Sequence, residues 1–221
     1  MNHEQLPAMN HNKHPYGMRT NLRNAVRLAS GGAARGFTLV ELLIVIAIIL
    51  VLAALGFGGA QAVLTRAKNT KSLVAANNIE QSVTQFFDEY GQLPVRTATG
   101  AAISTDQGTG IEAIAALMGK ETGANPMNTK NMPFLQVNQG KGQNGSGKKD
   151  GAEFSGSAVM GLYDFYGNPY FLLFDEDAND EILDPFNGQI VRGRKVLVYT
   201  AGKDRSTGST KSNKDNIISW R

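Results

Sequence analysis

Arg35-Gly36-Phe37-Thr38-Leu39-Val40-Glu41 heads the apolar run Leu42–Ala60, and these residues decide the fold. No charged residue occurs from Leu42 to Thr65. A bilayer's hydrocarbon core takes about 20 mainly apolar residues as a helix, so this segment is long enough to cross one. Glu41 stands at its head. A carboxylate at the edge of lipid is costly alone, so a partner for it is expected. In an ordinary signal peptide the cleavage site follows the apolar region, which is then discarded. Here a cut after Gly36 would come before the run and leave it in the mature chain.

The string Gly36-Phe37-Thr38-Leu39-Val40-Glu41-Leu42-Leu43 resembles the N-terminal processing motif of type IV pilins and type II secretion pseudopilins. The resemblance implies a cut between Gly36 and Phe37 by a prepilin peptidase, then methylation of the new Phe37 amine. It implies that Glu41 acts in assembly, and that the chain polymerises with copies of itself. Minor pseudopilins and an inner-membrane assembly platform would be further partners. The segment 1–36 would be a basic cytoplasmic leader, 37–64 a transmembrane and assembly helix, and 65–221 a periplasmic pilin-like domain. The expected location is the bacterial inner membrane, crossed once, with incorporation into a pseudopilus.

Charge placement agrees with that orientation. The leader carries Lys13, Arg19, Arg23, Arg27 and Arg35 against Glu4. It holds a net +4 of a chain whose total is +3, which leaves −1 for the rest before its new amine is counted. Basic residues flanking an apolar span mark its cytoplasmic side. The excess of positive charge sits in the leader and gives no reason to expect nucleic acid as the main partner. All three histidines, His3, His11 and His14, lie in the leader too. A mature chain without it has no histidine. With no cysteine anywhere, it has neither a disulfide framework nor a Ser-His-Asp or Cys-His catalytic arrangement. No pair of carboxylates stands in a catalytic frame, and the chain reads as a non-enzyme.

Phe37–Glu89 reads as one long helix. Gly56, Gly58 and Gly59 interrupt its apolar part, where a bend or local melting could occur. Beyond Arg66 an amphipathic stripe of Leu73, Ala76, Ile79, Val83, Phe86, Phe87 and Tyr90 has the spacing of a face packed on a sheet. Gly91 is the expected C-cap, with Pro94 following. Val95–Gly110 reads as loop, Ile111–Met118 as a helix stopped by Gly119, and 121–132 as loop. Met132–Val137 reads as a short strand and Gln139–Gly151 as a mobile surface loop. The last contains a decoy, Gly142-x-x-x-x-Gly147-Lys148, which fits a phosphate-binding loop until Lys149 stands in place of the required Ser or Thr.

Tyr163-Asp164-Phe165-Tyr166-Gly167-Asn168-Pro169-Tyr170 introduces a strand at Tyr170–Phe174, and a second is expected at Lys195–Thr200. The phrase is similar to the pseudopilin turn Asp-Pro-Trp-Gly-Asn-Pro-Tyr, with Phe165 and Tyr166 replacing Pro and Trp. Ala201–Ser219 reads as a polar tail, and Asp215 to Trp220 resembles the close of the major pseudopilin. That resemblance implies a calcium ion closing the tail, with Asp204, Asp215 and Asn216 as ligands. A second acidic stretch is the alternative. Asp175, Asp177 and Asn179 place oxygens at the first, third and fifth positions of an EF-hand-like loop. There Asp180 takes the glycine position and Phe186 stands where the bidentate glutamate belongs.

The expected fold is α+β, a long N-terminal helix packed on a small antiparallel sheet. The leading function is the major subunit of a type II secretion pseudopilus, helping folded proteins across the outer membrane. The alternative is a type IV pilin for adhesion, twitching motility or DNA uptake. Missing cysteines favour the former, since many pilins staple the C-terminal loop with a disulfide.

Overall fold

The computed structural model describes residues 36–96, 100–140, 150–208 and 212–221, with the side chains of 55–60 and of residue 212 left undescribed. The leader's histidines and the Gly142–Lys148 decoy lie outside the described residues. By its internal contacts the chain divides into Met1–Leu50 and Val51–Arg221.

Helix α1 runs over Leu39–Tyr90, close to its expected limits, and continues as helix through Gly56, Gly58 and Gly59. In the first unit its side chains are exposed throughout, with Leu42, Ile46 and Leu50 at 57%, 49% and 67%. It ends where the sequence said: Gly91 has φ +67°, and its amide donates to Phe87 O at 2.7 Å. The left-handed conformation suits a residue without Cβ.

In the second unit the α1 stripe enters the core. Ala76, Ile79, Val83 and Phe86 are fully buried, and Leu73, Phe87 and Tyr90 are half-buried. They join a core with α2 (Gly108–Leu117), Leu135 and the sheet residues Tyr170, Leu172, Val196 and Val198. Burial at roughly 25 cal/mol per Å² of apolar area is the term that holds such a layer together. Helix α2 begins three residues before its expected start. It stops at Gly119 as expected, φ +63°, where an added Cβ would meet Asn131 O at 2.7 Å. The Gly119 and Lys120 amides donate to Ala116 O and Ala115 O, closing the helix end.

The main sheet is antiparallel in the order β1-β4-β7-β8, with β1 Ile103–Ser104, β4 Tyr170–Phe174, β7 Val196–Thr200 and β8 Ile217–Ile218. Strands β4 and β7 pair from Tyr170↔Thr200 to Phe174↔Val196. The architecture is thus the α+β, pilin-like arrangement of helix on antiparallel sheet. Two further hairpins are β2 Gly151–Ser155 with β3 Ala158–Tyr163, and β5 Glu181–Leu183 with β6 Ile190–Arg192.

Several expectations need correction. Met132–Val137 forms no strand. Leu135 N donates to Leu117 O, and the Asn128 side chain holds Met132 N and O, so local bonds occupy the backbone that a ladder would use. Two residues of the expected loop Val95–Gly110 pair with β4 as β1, and the polar tail contributes β8. The β2–β3 hairpin turns on Gly156 (φ +62°) and Ser157, a Gly-Ser turn of the kind that links paired strands.

Candidate functional site

The head of α1 is built by Thr38 and Glu41. Thr38 precedes the first helical residue, and its hydroxyl accepts a hydrogen bond from Glu41 N at 3.1 Å. In return Glu41 Oε2 accepts from Thr38 N and from Thr38 Oγ1, both at 2.8 Å. This is a reciprocal capping box, which satisfies amides that lack intrahelical partners. The sequence signal was present as Thr-x-x-Glu before an apolar run, and reading Glu41 only as a charge missed it. Gly36 and Phe37 lie just ahead, in exposed chain without regular secondary structure, with Phe37 79% exposed. An added Cβ on Gly36 would meet nothing within 4 Å among the described residues.

Among the described residues no helix is long and apolar enough to cross a membrane.

The two acidic stretches differ. In the first, Asp175 accepts from Asn179 N at 3.1 Å and Asp180 N at 3.2 Å, and Lys195 Nζ lies 3.4 Å from Asp175 Oδ2 and 3.5 Å from Asp180 Oδ1. Asp177 Oδ2 accepts from Asn179 Nδ2, and Asn179 Oδ1 from Glu181 N. These oxygens are taken by the backbone, an amide and a lysine. Asp184, the last acid of the stretch, turns elsewhere. Its Oδ2 accepts from Trp220 Nε1 at 2.9 Å and faces Arg221 Nη2 at 3.4 Å, while its Oδ1 accepts from Phe186 N. Burial pushes the Asp184 carboxyl up. The bonds from Trp220 and Phe186 and the Arg221 charge outweigh that and hold it below the ordinary range.

In the tail, Asp204 N donates to Asp215 Oδ2 at 2.9 Å, and Asp204 Oδ1 accepts from Ser206 N. The structure therefore brings Asp204 and Asp215 together. Asn216 Nδ2 instead donates to Asn213 Oδ1. Gly202 (φ +69°) makes the approach possible, since a Cβ there would meet Asp215 O at 2.1 Å. Calcium takes six to eight oxygens, whereas the bond seen here joins the Asp204 backbone to the Asp215 carboxylate. Among the described residues no group of three or more His, Cys, Asp and Glu could hold a metal ion.

Behind the tail sits Asp164, buried at 1% exposure. Its carboxylate accepts from Tyr166 N, Asn168 N, Asn168 Nδ2 and Thr200 Oγ1. Asn168 Nδ2 also donates to Gly202 O, tying the turn to the tail. Burial raises the Asp164 pKa, with those hydrogen bonds acting in the opposite direction. These bonds make Asp164 the anchor of the turn.

Residues 32–57 match the family described as the prokaryotic N-terminal methylation motif. The chain is 38% identical over 73 residues to a fimbrial protein of Neisseria meningitidis serogroup A. It is 36% identical over 73 residues to one of serogroup B. Each match covers 33% of this chain and 43% of the relative, so the chain spans less than half the length of the curated relatives it matches. Both are named for a fimbria and neither for a catalysed reaction. No solved structure matches. The chain is thus similar to a methylation motif over residues 32–57 and, over a third of its length, to fimbrial proteins.

Proposed function

We propose that this chain is a structural subunit, not an enzyme, of a type II secretion pseudopilus, cut after Gly36 and polymerised through α1. The observation that carries the reading is the head of α1. A processing motif lies in open chain, and an apolar helix follows whose side chains are uncovered from Leu39 to Leu52. Such a surface is stable only against lipid or against other apolar helices. Membrane residence before assembly, prepilin peptidase as processing enzyme, and copies of the same chain as main partner follow from this reading.

Once Phe37 carries a cationic amine, it and Glu41 are the charges nearest the apolar segment. Pairing offsets much of the cost of each in lipid. A pair between neighbouring copies would set the axial register of the filament. Mass analysis of membrane-extracted protein tests the first step, with a mature chain beginning at methylated Phe37 expected. Glu41→Gln should be cut and inserted normally yet give few filaments on overexpression. Normal filament yield from cleaved Glu41→Gln protein would remove the pairing.

The second reading, a type IV pilin on the cell surface, draws on the fimbrial relatives. Deleting the gene separates the two. Loss of secretion with folded protein retained in the periplasm supports the pseudopilus; loss of surface filaments with secretion intact supports the pilus. For the tail we also propose calcium between Asp204 and Asp215, supported by their proximity and by the absence of cysteine.

A further inference from the structure

Unit Val51–Arg221 carries two uncovered surfaces of opposite charge, well separated along the part of α1 that lies in this unit. The first is the α1 segment 63–68. Val63 and Leu64 are 65% and 52% exposed. Arg66 is exposed and has no hydrogen-bond or ion-pair partner among the described residues. Lys68 rests its ammonium 5.0 Å from the centre of the Phe165 ring.

The second is an apolar groove of about 510 Å³ between β4 and the β5–β6 hairpin. Ala102, Leu173, Ile182, Leu183 and Pro185 line it, and Leu183 is 59% exposed. Its rim is acidic, formed by Glu176, Asp177 and Glu181. Glu176 accepts from Gly100 N at 2.8 Å, and Glu181 holds Arg192, so both are fixed in place. Asp177 stands exposed, bonded to its loop neighbour Asn179.

Their places along α1 are set by contacts on the page. The start of β4 lies beside Ser72, whose carbonyl accepts from Tyr170 Oη. The end of β4 lies beside Lys195, which bonds Asp175 N through its carbonyl and covers the Phe87 ring at 5.0 Å. The groove at Leu173 and Phe174 therefore belongs to the Phe87 end of the helix. The basic segment lies beyond Ser72, roughly 30 Å away for helix rising 1.5 Å per residue.

Two complementary patches so separated cannot satisfy each other within one chain. They suit a contact between copies related by translation. A heterologous contact of that kind builds an open filament when its rotation does not close a ring. Apolar side chains filling an apolar groove, with opposite charges at the rim, supply both attraction and register.

We propose that the groove beside β5–β6 receives segment 63–68 of a second copy, with Val63 or Leu64 in the groove and Arg66 against the Glu176–Asp177 rim. The inference rests on the assembly reading above but is separate from the Glu41 pairing, which involves other residues. It gives the extra hairpin of this chain a task, the selection of its own kind as neighbour.

The test uses the full chain in membranes, and the absence of native cysteine makes it clean. Arg66→Glu and Asp177→Lys should each lower filament yield several-fold while leaving processing intact, and the two together should restore it. In assembled filaments, Leu64→Cys combined with Leu183→Cys should form an oxidation-dependent ladder of multimers that neither single variant forms. Undiminished yield in both single reversals, or loss without restoration and without a ladder, overturns the contact. A Leu183→Cys single variant that crosslinks to a different protein assigns the groove to that protein and overturns it too. If the unaltered, processed chain builds no filament, the assembly reading itself fails, and this inference with it.

Discussion

Asp184 closes the acidic run that begins at Asp175. In the fold it is a latch for the C-terminal residues, receiving Trp220 Nε1 and facing Arg221. Trp220 stacks on Phe186 with ring planes 7° apart and meets Tyr199 edge-on. A hydrogen bond to a charged group contributes about 1.5–3 kcal/mol. The Asp184 carboxyl is held below its ordinary pKa, so its contribution is present above the unfolded value, about 3.9, and is lost as pH falls through the folded value. Asp184→Asn should therefore cost about 2 kcal/mol near neutral pH, with the gap to the parent closing below about pH 4. Denaturant unfolding of the full chain in detergent, followed by the fluorescence of its single tryptophan, reads both. A gap that stays constant with pH would mean that ionised Asp184 is not what holds Trp220. Asp164 has the opposite sign. Burial raises its pKa, so folding favours its protonated form, and stability contributed by that proton is lost as pH rises through the folded value.

At the scale of the element, α1 was the most legible part of the chain. An apolar run, a stripe at helical spacing and a Gly91 stop give both ends to within two residues. Its start also answers a question about Glu41. The residue has two separable properties, a carboxylate charge and a place in the capping box. Thr38→Val removes the box and keeps the charge, at a cost of about 1 kcal/mol to the first turn. Glu41→Gln keeps a residue able to complete the box and removes the charge. If charge sets filament register, Thr38→Val should assemble at close to parental yield and Glu41→Gln should not. Equal loss in both would assign Glu41 to helix initiation. The hairpins were less legible. Strands β5 and β6 are three residues each, too short for an alternation to stand out from their acidic surroundings. Strand β8 is two residues whose pairing with Tyr199 and Thr200 comes from the opposite side of a long tail.

For the whole molecule, the open question is what closes that tail without a disulfide. The protein's own bonds do part of it: Asn168, itself bonded to Asp164, holds Gly202, Asp204 N bonds Asp215, and Asp184 holds Trp220. A cation that binds only the folded state would add stability by mass action, about 2.7 kcal/mol at a hundredfold excess over its Kd. With calcium at Asp204 and Asp215, chelator should lower the melting temperature of the full chain in detergent. Calcium, and not magnesium, should restore it, and Asp215→Asn should abolish the response. A melting temperature indifferent to chelator would leave tail closure to the bonds named above. The sequence by itself determined what depends on neighbours along the chain. These are the processing motif, the apolar run and its length, the amphipathic face of α1, the glycine stops at Gly91 and Gly119, and the β4 and β7 strands. Each is set by local sterics or by periodic burial, which residue order carries directly. The tertiary structure alone decided which acids meet lysine, which meet tryptophan and which meet each other. Those choices depend on contacts such as Asp184 with Trp220, 36 residues apart, and no pattern along the chain encodes such a distance.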